Sequence, residues 1–200
     1  MYSTNTATIS NEEFVSNYMP VGINENVTLK EVNVNRSQNG HDFLEIVFAD
    51  ADDKTAKITF WKNEKSMWVK TDEELQKRDD IQFGQILQII DSFYETRPAA
   101  EINNFKEMID WVKSQLDPMI STNKKLRIKV AYDKNGYTKV STYGIFVEPM
   151  TVTESKIKLF KKDLMERPVV ADKEPATDPL ASKIASPSTD IPVGANGLPF

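Results

Sequence analysis

Apolar residues in the first third of this chain recur at every second position, the spacing of strands with one buried face. From Glu25 to Arg36 the alternation contains a defect: Val27 and Leu29 share one phase, Val32 and Val34 the other. One extra residue near Lys30-Glu31 would return all four to one face. The spacing therefore predicts a strand with a β-bulge, bent as the first strand of a small barrel must be. Ser37-Gln38-Asn39-Gly40 predicts a turn. A second strand follows over Phe43–Phe48, with Leu44, Ile46 and Phe48 inward. A third covers Thr55–Lys62, with Ile58 and Phe60 inward and Lys57, Thr59 and Trp61 outward.

At Thr71 the period changes to that of a helix. Thr71-Asp72-Glu73-Glu74 is a capping box that places acids in the first turn, where the helix dipole favours them. Ile86, Ile89, Ile90 and Phe93 form one helical stripe. Ile102, Phe105, Ile109, Val112 and Leu116 form a second, opened by Pro98 and ended near Pro118. Alternation resumes from Lys124 to Pro149 on both sides of Asn135-Gly136. That pair predicts a two-residue hairpin turn with positive φ at both positions. In the strand before it, Leu126, Ile128, Val130 and Tyr132 share the inward face, while Lys125, Arg127, Lys129 and Ala131 share the outward one.

Three strands, a helical block and a two-stranded hairpin make the plan of an OB-fold. The expected class is α+β, mostly β: a five-stranded OB-fold barrel over 21–150 with a helical insertion, about 71–118, between strands 3 and 4. An N-terminal extension (1–20) precedes it and a short basic helix (151–167) follows. After Pro168 the residues Pro, Ser, Ala and Asp dominate without periodicity, which predicts a disordered tail over 168–200.

The absence of cysteine excludes disulfides, thiolate metal sites and a cysteine nucleophile. No apolar run reaches the roughly 18 residues of a membrane span, and the N-terminus has no apolar signal-peptide core. A soluble, cytoplasmic protein is expected, with no membrane partner. Charge is unevenly placed. The chain is −5 overall, but Lys124–Tyr143 carries six basic residues and one acid, and Asn63–Asp117 carries twelve acids and seven bases. A positive hairpin bearing Tyr132, Tyr137 and Tyr143 has what a surface needs to follow a phosphate backbone and stack bases. A solvated amphipathic hairpin would show the same alternation. Catalysis finds no support: His41 lacks a nucleophile, no Gly-rich phosphate loop precedes a Lys-Ser/Thr pair, and Asp50, Asp52 and Asp53 lack the Gly and terminal Glu of a calcium loop. Neither a cofactor nor a metal is expected.

The run PVGINENVTLKEVNVNRSQNGHDFLEIVFADADDKTAKITFW resembles the first three strands of phage-encoded single-stranded DNA-binding proteins with an OB-fold. The C-terminus TDIPVGANGLPF is similar to the tip of bacterial single-stranded DNA-binding proteins, which end in an acidic run followed by Ile-Pro-Phe. The resemblance implies a protein that coats transient single strands in DNA replication, recombination and repair, with little sequence specificity. It also implies recruitment of replication or recombination proteins through the tail, with Asp190, Leu198, Pro199 and Phe200 as docking residues. One departure stands out. Pro168–Phe200 holds four acids and two lysines instead of a dense acidic run, which puts electrostatic competition between tail and DNA in more doubt than docking of Phe200.

On the outward barrel face the expected nucleic-acid contacts are Phe43, Lys57, Trp61, Arg127, Lys129, Lys139 and Tyr143. Trp61 could instead cap the barrel against the insertion, and Trp68 and Trp111 are assigned to packing near the acidic helices. The alternative function is a protein–protein interaction module of a replication or phage assembly complex that binds no nucleic acid. An edge strand or the insertion could also build a homodimer.

Overall fold

The computed structural model describes residues 16–168. The tail residues Asp190, Leu198, Pro199 and Phe200 lie outside them, as does most of the N-terminal extension. The elements are β1 (Gly22–Arg36), β2 (Asp42–Ala49), β3 (Thr55–Trp61), α1 (Asp72–Phe93), α2 (Phe105–Ile120), β4 (Leu126–Tyr132), β5 (Thr138–Val140) and β6 (Val147–Pro149). The fold is mostly β. Its antiparallel sheet runs β3-β2-β1-β4-β5, with β6 also on β4, and the two helices complete one apolar core. No ladder joins β3 to β5 among the described residues. No described helix is long and apolar enough to cross a membrane.

The bulge stands where the alternation breaks. Pairing of β1 with β2 slips between Leu29 and Glu31, so Val27, Leu29 and Val32 are all buried and Val34 packs against them. On its other edge β1 slips against β4 between Asn24 and Val27, around Asn26 at φ 59°. Leu44, Ile46, Phe48, Ile58 and Phe60 fill the core from β2 and β3 as their alternation requires.

Thr71 caps α1 through the expected box: its hydroxyl accepts the Glu74 amide, and the Glu74 carboxylate accepts the amides of Lys70 and Thr71. Those backbone donors hold the Glu74 carboxyl below its ordinary range. The Ile86, Ile89, Ile90 and Phe93 stripe is buried. The second helix starts later than Pro98 suggests. Asn104 accepts the Glu107 amide and opens it at Phe105, leaving Ile102 in the connection, and Pro118 stands inside its last turn.

Three expectations fail after Lys124. The hairpin loop is not a two-residue turn, and of the Asn135-Gly136 pair only Gly136 has positive φ. Gly136 N donates to Asp133 O and Asp133 N to Tyr137 O, a three-residue loop with glycine at the left-handed position. Asp133 selects it, because its carboxylate also accepts the amides of Asn135 and Tyr137. The strand that follows is interrupted. Ser141 N donates to Lys129 O and Lys129 N to Phe146 O, and between these bonds the chain swings off the β4 edge, separating β5 from β6. Finally, 151–167 forms no helix. Its backbone is engaged by the sheet instead: Lys156 N donates to Glu148, Lys158 O accepts from Lys129, and Leu164 O accepts the Tyr132 amide.

This segment presses the Phe160 ring against Gly144, where an added Cβ would sit 2.7 Å from a ring carbon and φ is +66°. Gly144→Ala is expected to destabilise by about 1–3 kcal/mol, the cost of a strained left-handed residue. Gly84, in α1 with nothing within 4 Å, is the contrast. Gly84→Ala is expected to stabilise by about 1 kcal/mol. Urea midpoints of the two variants should move in opposite directions; a shift of Gly144→Ala to higher urea would contradict the close approach.

Candidate functional site

The outward face expected for β4 does not reach solvent. Arg127 is 8 % exposed and Lys129 0 %, because residues 155–164 cross over them. Neither is a surface contact for a nucleic acid. An isolated buried ammonium would be prohibitively costly, so each of its protons needs an acceptor. Lys129 Nζ has three: Tyr143 O at 2.7 Å, Lys158 O at 3.0 Å and Asp163 Oδ2 at 3.0 Å. It also stands 4.7 Å from the centroid of the Phe160 ring. Asp163 is completed by Ser141 Oγ and the Phe160 amide. Arg127 bridges Glu25 on β1 and Glu148 on β6, and Glu148 also takes the Lys156 amide.

Burial is the largest influence on the Asp163 carboxyl and works to raise its pKa. Hydrogen bonds from Ser141, Phe160 and Lys129, with the lysine's charge, outweigh it and hold the group below the ordinary range. At Glu148 burial again opposes the charge, and Ser155, Arg127 and the Lys156 amide again reverse it.

What these buried pairs position is a cleft of ≈ 490 Å³ between the edge of β3 and β5. Ile58, Thr59 and Phe60 form one wall, and Lys139, Val140, Ser141, Thr142 and Tyr143 the other. Lys134 and Lys162 complete the rim. None of Lys134, Lys139 and Lys162 has a carboxylate partner among the described residues. The one acid on the lining, Asp133, is tied into the hairpin loop. Tyr143 is 49 % exposed, with the Lys162 ammonium 5.8 Å from its ring centroid. Lys139 and Tyr143 of the predicted set therefore meet here.

Three of the predicted residues lie on the outer face of β2 and β3. Phe43 and Trp61 stack at 4.3 Å between centroids, and Gln82 of α1 donates to the Trp61 carbonyl. Trp61 thus touches the insertion through its backbone while its ring stays half-exposed on Phe43. Lys57 is exposed but paired with Glu45 at 3.0 Å. Trp111 packs against Phe83, as expected; Trp68, 82 % exposed, is not packed among the described residues. Sequence reading missed Lys134 and Lys162 as site residues. Lys134 was legible as an unopposed charge beside the hairpin turn, whereas Lys162 is brought in by a segment without periodicity.

No protein-family model and no curated protein matches this chain. Among solved structures it is similar to a mutant PltB homopentamer of Salmonella typhi with Neu5Ac-containing glycans. Identity is 12%, the TM-score is 0.28, and the match covers 63% of this chain and 82% of the other. A likeness that weak carries no argument about function.

The buried pair makes a clear prediction. Lys129→Ala would strand a buried carboxylate and should cost about 3–5 kcal/mol, while Lys129→Met with Asp163→Leu should recover most of that loss. Both depressed carboxyls lend stability that is complete above the unfolded carboxylate range, about pH 4, and is lost as pH falls through their lower folded values. Chemical unfolding followed across acid pH should show that loss, and a shallower one for Asp163→Asn. An unchanged pH profile in that variant would refute the assignment.

Proposed function

We propose that the protein binds single-stranded DNA with little sequence specificity, and that the β3–β5 cleft is where the strand lies. Strand order β3-β2-β1-β4-β5 with both helices between β3 and β4 supports an OB-fold barrel whose seam is this cleft, with β5 and β6 sharing the place of the fifth strand. The observation that carries the reading is the set of three unpaired lysines, Lys134, Lys139 and Lys162, on the cleft, within a segment whose surface charge is strongly positive. Residues 121–167 hold eleven basic and five acidic residues, and the buried Arg127, Lys129, Glu148 and Asp163 cancel. Nine basic against three acidic remain, and the lysines of the cleft rim are among them. A phosphate backbone is held by such unpaired lysines, and bases stack on an exposed aromatic ring beside them. Tyr143 is that ring, with the Trp61–Phe43 pair as a second platform at the end of β3. Arg127 and Lys129 act indirectly, by fixing the wall that carries Tyr143 and Lys162. The chemistry is non-covalent, and replication or recombination proteins remain the expected partners through the tail.

The test is a titration of the full chain with single- and double-stranded oligonucleotides at several salt concentrations, followed by tryptophan fluorescence. Binding of dT oligomers is expected, weakening with salt, with duplex much poorer. Tyr143→Ala should cost about 1–3 kcal/mol of affinity. Lys139→Ala and Lys162→Ala should each flatten the log–log salt dependence by about 0.7. Absence of binding to single strands at low salt would end this reading, and so would equal affinity for duplex.

A further inference from the structure

Between β3 and α1 the chain makes a tight turn whose apex no described residue covers. Ser66 N donates to Val69 O at 3.0 Å and Val69 N to Ser66 O at 3.2 Å. Ser66 Oγ accepts the Trp68 amide, and the buried Val69 anchors the base. On this frame Met67 and Trp68 stand 80 % and 82 % exposed, the two most exposed large apolar side chains among the described residues. Reciprocal backbone bonds mean that the apex is already ordered, so burying it against another surface forfeits little backbone freedom. Lys65 and Lys70 flank it. Lys65 reaches Asp72 at 2.6 Å, and Lys70 has no carboxylate partner among the described residues.

The same chain carries a hollow of matching character. α1 and the residues around the start of α2 enclose a groove of ≈ 370 Å³, floored by Phe83, Ile102, Phe105 and Met108 and rimmed by Asp79 and Asp80, with Lys62 among its other lining residues. Asn63 Nδ2 donates to Asp79 at 2.9 Å and Gln76 Nε2 to Asp80 at 2.8 Å, but neither carboxylate has a cationic partner among the described residues. The groove is apolar beneath and negative at its rim; the turn is apolar at its apex and positive at its shoulders. Within one copy the two stay apart, since neither Met67 nor Trp68 lines the groove.

We propose that the Met67–Trp68 apex of one copy seats in the α1–α2 groove of a second copy, with Lys70 and Lys65 facing Asp79 and Asp80. A rigid aromatic anchor entering an apolar pocket with complementary charge around it is the make-up of an interface hot spot. Because the two patches differ, the contact is heterologous: it propagates or closes a ring unless two copies exchange turns about a two-fold axis. It shares only Gln82 with the lining of the β3–β5 cleft and uses neither Tyr143 nor the lysines of its rim, so its test does not depend on nucleic-acid binding.

Sedimentation velocity on the full chain without nucleic acid, over a wide micromolar range and at low and high salt, tests it. Concentration-dependent association that weakens with salt is expected. Trp68→Ala, and separately Asp79→Lys with Asp80→Lys, should weaken it by about thirtyfold or more, with unfolding midpoints near the parent because all three residues are exposed. Mixing the two variants should restore one contact, since one supplies the groove and the other the turn. A monomer at every concentration would overturn the proposal, as would association indifferent to both variants or a mixture that fails to recover. Loss of single-strand affinity in Trp68→Ala with association unchanged would assign the turn to nucleic acid and also overturn it.

Discussion

The Lys129 ammonium, buried with Asp163, constrains the chain from β4 to residue 164. A charge at that depth has to be surrounded by acceptors, and none of the three that Lys129 finds belongs to a strand. The chain meets the requirement by leaving the β4 edge between Ser141 and Phe146, which brings the Tyr143 carbonyl over the amine. Residues 155–164 then cross above, adding Lys158 O and Asp163. The interruption between β5 and β6, the non-helical path of 151–167 and the position of Tyr143 are all consistent with the needs of this one side chain.

Such a pair is a weak source of net stability, because desolvating two ions consumes most of what their attraction returns. Its stronger effect is on uniqueness. An alanine or leucine at 129 would accept many arrangements of the crossing segment, whereas an ammonium with three fixed acceptors accepts one. The Arg127 bridge to Glu25 and Glu148 does the same one residue pair earlier, joining β1, β4 and β6. Rigidity in this layer matters at the cleft, where Tyr143 and Lys162 belong to the segments being fixed.

Most local signals are legible in the sequence; the Asn135-Gly136 turn is the exception, because the Asp133 carboxylate selects a three-residue loop. The phase slip between Leu29 and Val32 can only be absorbed by a bulge, and the capping box at Thr71 uses atoms three residues apart. The isoleucine stripe of α1 is legible for the same reason. On β4, alternation was read correctly as period and wrongly as exposure. Lys125, Arg127 and Lys129 look solvated because lysine and arginine usually are, and the carboxylates that bury two of them lie 21 and 34 residues further on. Nothing within the strand announces such partners. Trp68 failed the opposite way. Proximity to the acidic helices suggests packing, but a two-residue apex between hydrogen-bonded Ser66 and Val69 holds the ring clear of the described residues. In the cleft, Lys139 and Tyr143 were accessible to sequence reading because they sit on a hairpin.

Charge placement decides how a net-negative chain can serve a polyanion. Residues 1–120 hold twelve basic and twenty-one acidic residues, so repulsion of phosphate is the rule over most of the surface. At physiological salt that repulsion fades within about 8 Å, and a strand lying in the cleft responds mainly to the lysines of its rim. Lowering the salt extends the reach of both signs. It strengthens the rim and also the acidic field beyond it, so the strand is confined to the cleft as it is held there. A uniformly basic surface would bind more tightly and without confinement. In the proposed function the acidic helices would thereby act without touching the strand, by disfavouring phosphate over residues 63–117 and leaving the basic 121–167 segment, with the β3–β5 cleft, as the favourable side.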